Sequence, residues 1–197
     1  MLKVAITGNI ASGKSEFQRL LTKRGFMVVD SDKIGHDLLQ RNKHVIEGIK
    51  SIFTDIDIYD EDGSISRTKL GAIVFANNGY KYKLDTLMHP VIKEKITKIF
   101  AKYEKLPVIF VAVPLLFEAK MQDMFDLSIL IASDEDLRLK RLLNSRNLEF
   151  IEAKNRIKAQ MSQDDKMELV DFVLYNNTSL KNMEFQADLI LKKIVKP

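Results

Sequence analysis

The chain has 197 residues, 46% of them hydrophobic and 29% charged, with a net charge of +4 and no cysteine. That length and balance suit a globular domain able to bury its own core, and the missing thiols exclude disulfides and cysteine-ligated metals. No run of five Lys or Arg marks a nucleic-acid arm, no apolar stretch reaches the about 20 residues of a membrane span, and Met1–Thr7 is too short for a signal peptide, so a cytoplasmic protein working without nucleic acid or membrane is expected.

Leu2–Thr7 is a nearly continuous apolar run, the pattern of a strand covered on both faces. It leads into Gly8-Asn9-Ile10-Ala11-Ser12-Gly13-Lys14-Ser15, which fits the phosphate-loop pattern G-x-x-x-x-G-K-[ST] in full. In that pattern the glycines let main-chain N–H groups turn inward around a phosphate. The lysine reaches the β and γ oxygens of a nucleotide, and the hydroxyl ligates Mg²⁺. Gly8, Ala11, Ser12, Gly13, Lys14, Ser15 and Glu16 are therefore the candidates for ATP, with Ser15 the metal ligand. Phe17, Leu20 and Leu21 place one apolar face on a helix from Lys14 to about Arg24, which Gly25 stops. Phe26–Asp30 reads as a second buried strand, completing a βαβ unit and predicting a parallel sheet.

The stretch from Ser31 to Leu106 is too long for a simple crossover and reads as helices broken by a polar turn at Asp55–Ser66. Asp30-Ser31-Asp32 sits where the second strand ends, expected beside the phosphate loop, since open α/β sheets bind ligands at the carboxyl ends of their strands. Two readings of Asp32 stand: a carboxylate that orients an attacking hydroxyl, or a residue that starts the next helix. Pro90 reads as a first helical residue, with His89 either packed at that start or touching substrate.

A third strand, Pro107–Val113, ends without an aspartate that could serve as a second metal ligand, and Pro114-Leu115-Leu116-Phe117-Glu118 follows it. Pro114, Leu115 and Glu118 are expected to line the cleft, with Glu118 its polar member. Asp126–Ala132 reads as the fourth strand. Ser133 with Asp136 three residues later resembles a capping box opening a helix. Arg138, Lys140, Arg141 and Arg146 follow, then a helix from about Glu149 to Met161 and a last strand, Asp171–Tyr175. Arg138 and Arg141 are three apart and share a helix face. They form either a basic lid over the phosphates or a solvated face paired with Asp134, Glu135 and Asp136.

The order and spacing of these segments resemble the dephospho-CoA kinase family over nearly the whole chain. The residues that carry the likeness are Ile6–Ser15, Val29-Asp30-Ser31-Asp32, Ser66-Arg67 and Leu70, Val74-Phe75, Met88-His89-Pro90, and Val113–Glu118. To these are added Arg138, Lys140-Arg141, Arg156-Ile157, Gln160, Asp171 and Asn176-Asn177. The resemblance implies an α/β fold, a doubly wound five-stranded parallel sheet of the P-loop kinase type. It implies a core of 1–32, 107–132 and 163–197, a helical acceptor-binding insert at about 33–106 and a lid at about 133–162. It further implies transfer of the ATP γ-phosphoryl group to the ribose 3′-hydroxyl of dephospho-CoA, with Asp32 orienting the acceptor and Lys14 and Arg141 also catalytic. Arg138 then binds ATP; Asp32, Arg67, His89, Pro114, Leu115 and Glu118 bind the acceptor; and the protein is a monomer or weak homo-oligomer. Asn9 and Ala11 stand where glycines are commoner, and Glu16 where Thr usually follows the Ser.

Two other readings compete: a kinase for another small molecule or nucleotide, and a non-enzymatic nucleotide switch. The switch would use Asp60-Glu61-Asp62-Gly63 as D-x-x-G, but that segment lies in a polar turn, and no N-K-x-D guanine-reading segment accompanies it.

Overall fold

The structure, a computed structural model, describes residues 1–146 and 149–195, apart from the side chains of residues 145 and 146. Arg146 of the basic stretch therefore has its side chain outside the described residues. The chain divides into two compact units, one of Met1–Asp30 with Lys102–Pro197 and one of Ser31–Ala101. The residues expected to form a lid belong to the first.

That first unit is built on a parallel sheet of β1 (Leu2–Thr7), β2 (Met27–Asp30), β3 (Val108–Ala112), β4 (Leu127–Ala132) and β5 (Phe172–Tyr175), in the order β2-β3-β1-β4-β5. All four pairings are parallel, with Ile6 beside Ala112 on one side and Ile129 on the other. The expected strands and their polarity are found, each within a residue or so of its expected end. The near-continuous apolar runs are explained by burial on both sides, since β3 is buried at every position. One face carries Val4, Ile6, Val108, Phe110, Ala112, Ile129, Ile131 and Leu174. It packs against Phe17, Leu20 and Leu21 of α1 (Lys14–Lys23) and Met183, Ala187, Ile190 and Leu191 of the C-terminal helix Leu180–Ile194. Gly25, at φ +85°, turns the chain out of α1 as expected.

The second unit is helical: α2 (Ser31–Arg41), α3 (Lys43–Ile52), α4 (Arg67–Ala76) and α5 (Asn78–Lys102). The polar turn before α4 is pinned by a bridge between Tyr59 and Ile65 and by the Lys69 ammonium, which donates to Asp57 Oδ2 (2.7 Å) and the Tyr59 carbonyl (2.6 Å). Gly48 allows the close approach of α3 to Leu87 of α5, because a Cβ there would lie 2.7 Å from that side chain. One expectation is corrected: Pro90 does not open a helix but lies inside α5. A proline there has no N–H for the carbonyl four residues back, and burial of Met88, Ile96 and Phe100 on both sides of it carries the helix through.

Candidate active site

The phosphate loop leaves β1, the central strand, on the sheet's carboxyl side, between its neighbours β3 and β4. Its two glycines are required by geometry. Gly8 has φ +150°, and a Cβ on it would lie 2.5 Å from the Ile131 carbonyl oxygen; Gly13 has φ +99°, and a Cβ would lie 2.0 Å from Asn176 Nδ2. Ala11 adopts φ +60°, a left-handed conformation that costs a residue with a Cβ about 1–2 kcal/mol. The greater frequency of glycine at that position is thereby explained. Gly13 is the N-cap of α1 and brings no side chain to cap it, so the first-turn N–H groups suit an anion. The Lys14 ammonium donates to the carbonyls of Gly8 and, at 3.3 Å, Asn9. Ser15 is exposed on the first turn, and Glu16 beside it is ion-paired with Arg19.

The basic helix α6 runs from Glu135 to Arg146, starting two residues later than expected. Ser133 is buried before it and is not the capping residue. Its Oγ donates to the Asn176 carbonyl (3.1 Å), and its N–H donates to Gln163 Oε1 (2.9 Å). Arg141 of α6 donates to the Ala11 carbonyl (3.2 Å), Ser133 Oγ (3.0 Å) and the Asn176 carbonyl (2.8 Å), so it braces the phosphate loop. Asn176 completes the brace by donating from Nδ2 to the Ser12 carbonyl (2.8 Å). Arg138 is 3% exposed; its Nε donates to the Ser133 carbonyl, and Glu135 lies 3.8 Å away. Burial lowers the guanidinium's pKa against the opposing pull of Glu135. Nη1 of Arg138 and Oγ of Ser12 are buried without a hydrogen-bond partner. α7 (Phe150–Lys158) packs Ala153 and Ile157 with Leu142 of α6, and Ile10 and Ala11 of the phosphate loop close this small core. Arg141 is thus held on the phosphate loop, whereas Arg138 bonds the Ser133 carbonyl beside Glu135 and Lys140 is exposed.

After β3, the Pro114 carbonyl accepts from Thr7 Oγ1 (3.3 Å) and from Lys166 Nζ (3.3 Å). Glu118 points to Lys166 of α8 (Gln163–Leu169), with Nζ 2.9 Å from its Oε1. Asp30 ends β2, the edge strand of the sheet, with β3 between it and β1. The crossover from β1 to β2 skips one position.

On the helical unit, Asp32 is exposed in the first turn of α2, where the helix dipole favours a carboxylate. Arg67 is exposed at the start of α4, and His89 is half-buried in α5 with Nε2 3.7 Å from Asp85 Oδ1. Burial lowers the pKa of His89, opposed by Asp85 and reinforced by Lys81 and Lys93. Lys166 was missed by sequence reasoning, and no role was read for Asn176 or Gln160. Among the described residues no group of three or more His, Cys, Asp or Glu side chains could hold a metal, and no helix is long and apolar enough to cross a membrane.

A family-wide sequence profile for dephospho-CoA kinase matches residues 2–182. The chain belongs to the dephospho-CoA kinase family. Its activity is that of the family: it is a kinase that transfers phosphate to dephospho-CoA. The dephospho-CoA kinase of Oceanobacillus iheyensis is 32% identical over 194 residues, covering 98% of this chain and 97% of that protein. That of Carboxydothermus hydrogenoformans is 35% identical over 192 residues, covering 96% and 93%. The solved dephospho-CoA kinase from Campylobacter jejuni superposes with a TM-score of 0.73 at 30% identity, covering 98% of this chain and 97% of its own. Five parallel strands with flanking helices in a P-loop kinase arrangement are therefore common to the family and this chain.

Proposed function

We propose that the kinase takes the γ-phosphoryl group of ATP and places it on the ribose 3′-hydroxyl of dephospho-CoA by in-line transfer. Catalysis rests on positioning and charge stabilisation, as phosphoryl transfer demands. Gly8, Ala11, Ser12 and Gly13 hold the β-phosphate on main-chain N–H groups, and Lys14 bridges the β and γ oxygens. Ser15 is the protein ligand for Mg²⁺, which when bound draws charge from those oxygens. The uncapped first turn of α1 and the two glycines that leave no room for a Cβ fit a bound triphosphate. Ser15 would offer its hydroxyl, exposed on the first turn of α1, as an oxygen donor to Mg²⁺.

Arg138 and Arg141 bring permanent positive charge to the phosphate loop, where it stabilises charge spreading over the transferred group. Asp32 accepts a hydrogen bond from the attacking hydroxyl and aims it; a carboxylate is a weak base at neutral pH, so aiming is its contribution. Arg67, His89, Pro114 and Leu115 contact the acceptor. Glu16, ion-paired with Arg19, makes the outermost nucleotide contact of the set. The enzyme works in the cytoplasm as a monomer or weak homo-oligomer.

The observation that carries this reading is the Gly8–Ser15 loop, closed at both glycines by backbone and side-chain atoms of β4 and the loop after β5. It is tested by ADP release with ATP, Mg²⁺ and dephospho-CoA, against nucleosides and nucleoside monophosphates as acceptors. Turnover confined to dephospho-CoA is expected, and comparable turnover on a nucleotide would refute the acceptor. Asp32→Asn is expected to lower kcat far more than it weakens ATP binding; an unchanged kcat would leave Asp32 a helix-starting residue only.

A further inference from the structure

Lys166 is completely buried, an unusual state for a lysine and one that demands a partner. Its ammonium lies 2.9 Å from Glu118 Oε1 and 3.3 Å from the Pro114 carbonyl. The same Glu118 oxygen accepts the Met161 N–H at 3.1 Å, while Oε2 is buried without a hydrogen-bond partner. The Met161 carbonyl in turn accepts from Asn9 Nδ2 (2.9 Å), and the neighbouring Gln160 accepts the Ile10 N–H on Oε1 (2.7 Å). Two consecutive phosphate-loop residues are thus tied to the segment between α7 and α8, and that segment is tied to the buried ion pair. Asn9, at a position where glycine is commoner, supplies one of the ties.

We propose that Lys166 is a positioning residue for the nucleotide: through Glu118 and Met161 it fixes the main chain of Asn9 and Ile10 in the phosphate-binding conformation. Without the ammonium, Glu118 keeps a buried carboxylate that has lost its counter-charge. Its side chain is 22% exposed, so it can turn to water and give up the Met161 N–H. Met161 then no longer holds Asn9. The links through Met161 and Gln160 lead to Asn9 and Ile10 of the phosphate loop, so the effect falls first on ATP, although Lys166 also touches Pro114 on the acceptor side.

The test is steady-state kinetics of Lys166→Met, Lys166→Arg, Asn9→Ala and the double variant Lys166→Met with Glu118→Gln, with thermal melting of each. Lys166→Met is expected to raise KM for ATP about tenfold with a clearly smaller rise in KM for dephospho-CoA, the signature of a displaced nucleotide loop. Lys166→Arg, which keeps the charge, is expected to restore KM to within about threefold of the parent. The double variant recovers part of the loss, because glutamine still accepts the Met161 N–H without burying an unpaired charge. Asn9→Ala releases the loop from the other end and raises KM for ATP several-fold, with the melting temperature lowered by about 2–8 °C for the lost bond. Lys166→Met with both KM values within about twofold of the parent overturns the proposal. So does an equal rise in both KM values, or a loss that vanishes once activity is expressed per folded molecule. If Lys166→Met does not fold, an unchanged KM for ATP in Asn9→Ala overturns it alone.

Discussion

Gly13 separates two kinds of cost that a glycine-to-alanine change can carry, and Gly25 provides the internal control. Both have positive φ, +99° and +85°, so either substitution strains the backbone. That strain is about 1–2 kcal/mol, and the lower unfolded-state entropy of alanine returns part of it. At Gly25 nothing lies within 4 Å of the added Cβ, so the cost ends there. At Gly13 the Cβ would stand 2.0 Å from Asn176 Nδ2 and 3.2 Å from its Cγ, so the amide must leave. Its departure breaks the bond to the Ser12 carbonyl, about another 1–3 kcal/mol for a part-buried acceptor left unmatched. The totals are about 1 kcal/mol for Gly25→Ala and about 2–4 kcal/mol for Gly13→Ala, or melting-temperature losses of about 2–4 °C and 5–15 °C in a chain of this size. Calorimetry reads the stability, and ATP binding by titration reads the site. Gly25→Ala should bind ATP normally, whereas Gly13→Ala should not bind it measurably. Adding Asn176→Ala to Gly13→Ala removes the clash, so the double variant should be destabilised by less than the sum of the singles. Equal losses for Gly13→Ala and Gly25→Ala, or strict additivity with Asn176→Ala, would refute the steric argument.

Three further outcomes are expected. Lys14→Met should lower kcat by about a hundredfold or more, because charge stabilisation at the transferred group is lost, while melting changes little; initial rates at saturating substrate check it. Ala11→Gly should raise stability by up to about 1 kcal/mol in urea titrations, since glycine removes the left-handed strain at φ +60°, the lost packing of the Ala11 methyl against the α6–α7 core taking back part of the gain. His89 has a folded-state pKa held below the usual value by burial, so the unfolded chain binds its proton first as pH falls. Its contribution to stability is therefore complete above the unfolded pKa of about 6.5 and shrinks as pH drops below it. Urea midpoints taken from pH 7.5 down to 5 should fall less steeply in His89→Gln than in the parent.

The sequence on its own determined the strands, the phosphate loop and its helix, because these depend on short-range chemistry. Continuous apolar runs report burial on both faces, and the spacing of Gly8, Gly13, Lys14 and Ser15 is the chemistry of a phosphate cradle. Local rules misled where distant packing outweighed them. Pro90 has the signature of a helix start, yet buried neighbours on either side hold one helix through it; Ser133 and Asp136 look like a cap, yet Ser133 serves Asn176 and Arg141. Only the tertiary structure decided that β3 separates β2 from β1, since strand order depends on which way each crossover turns. Lys166 follows Asp164 and Asp165 in a polar stretch, and burial was decided by Glu118, 48 residues earlier in the chain. Whether a charge sits in water or in the core is a property of what folds over it, and a linear pattern does not carry that information.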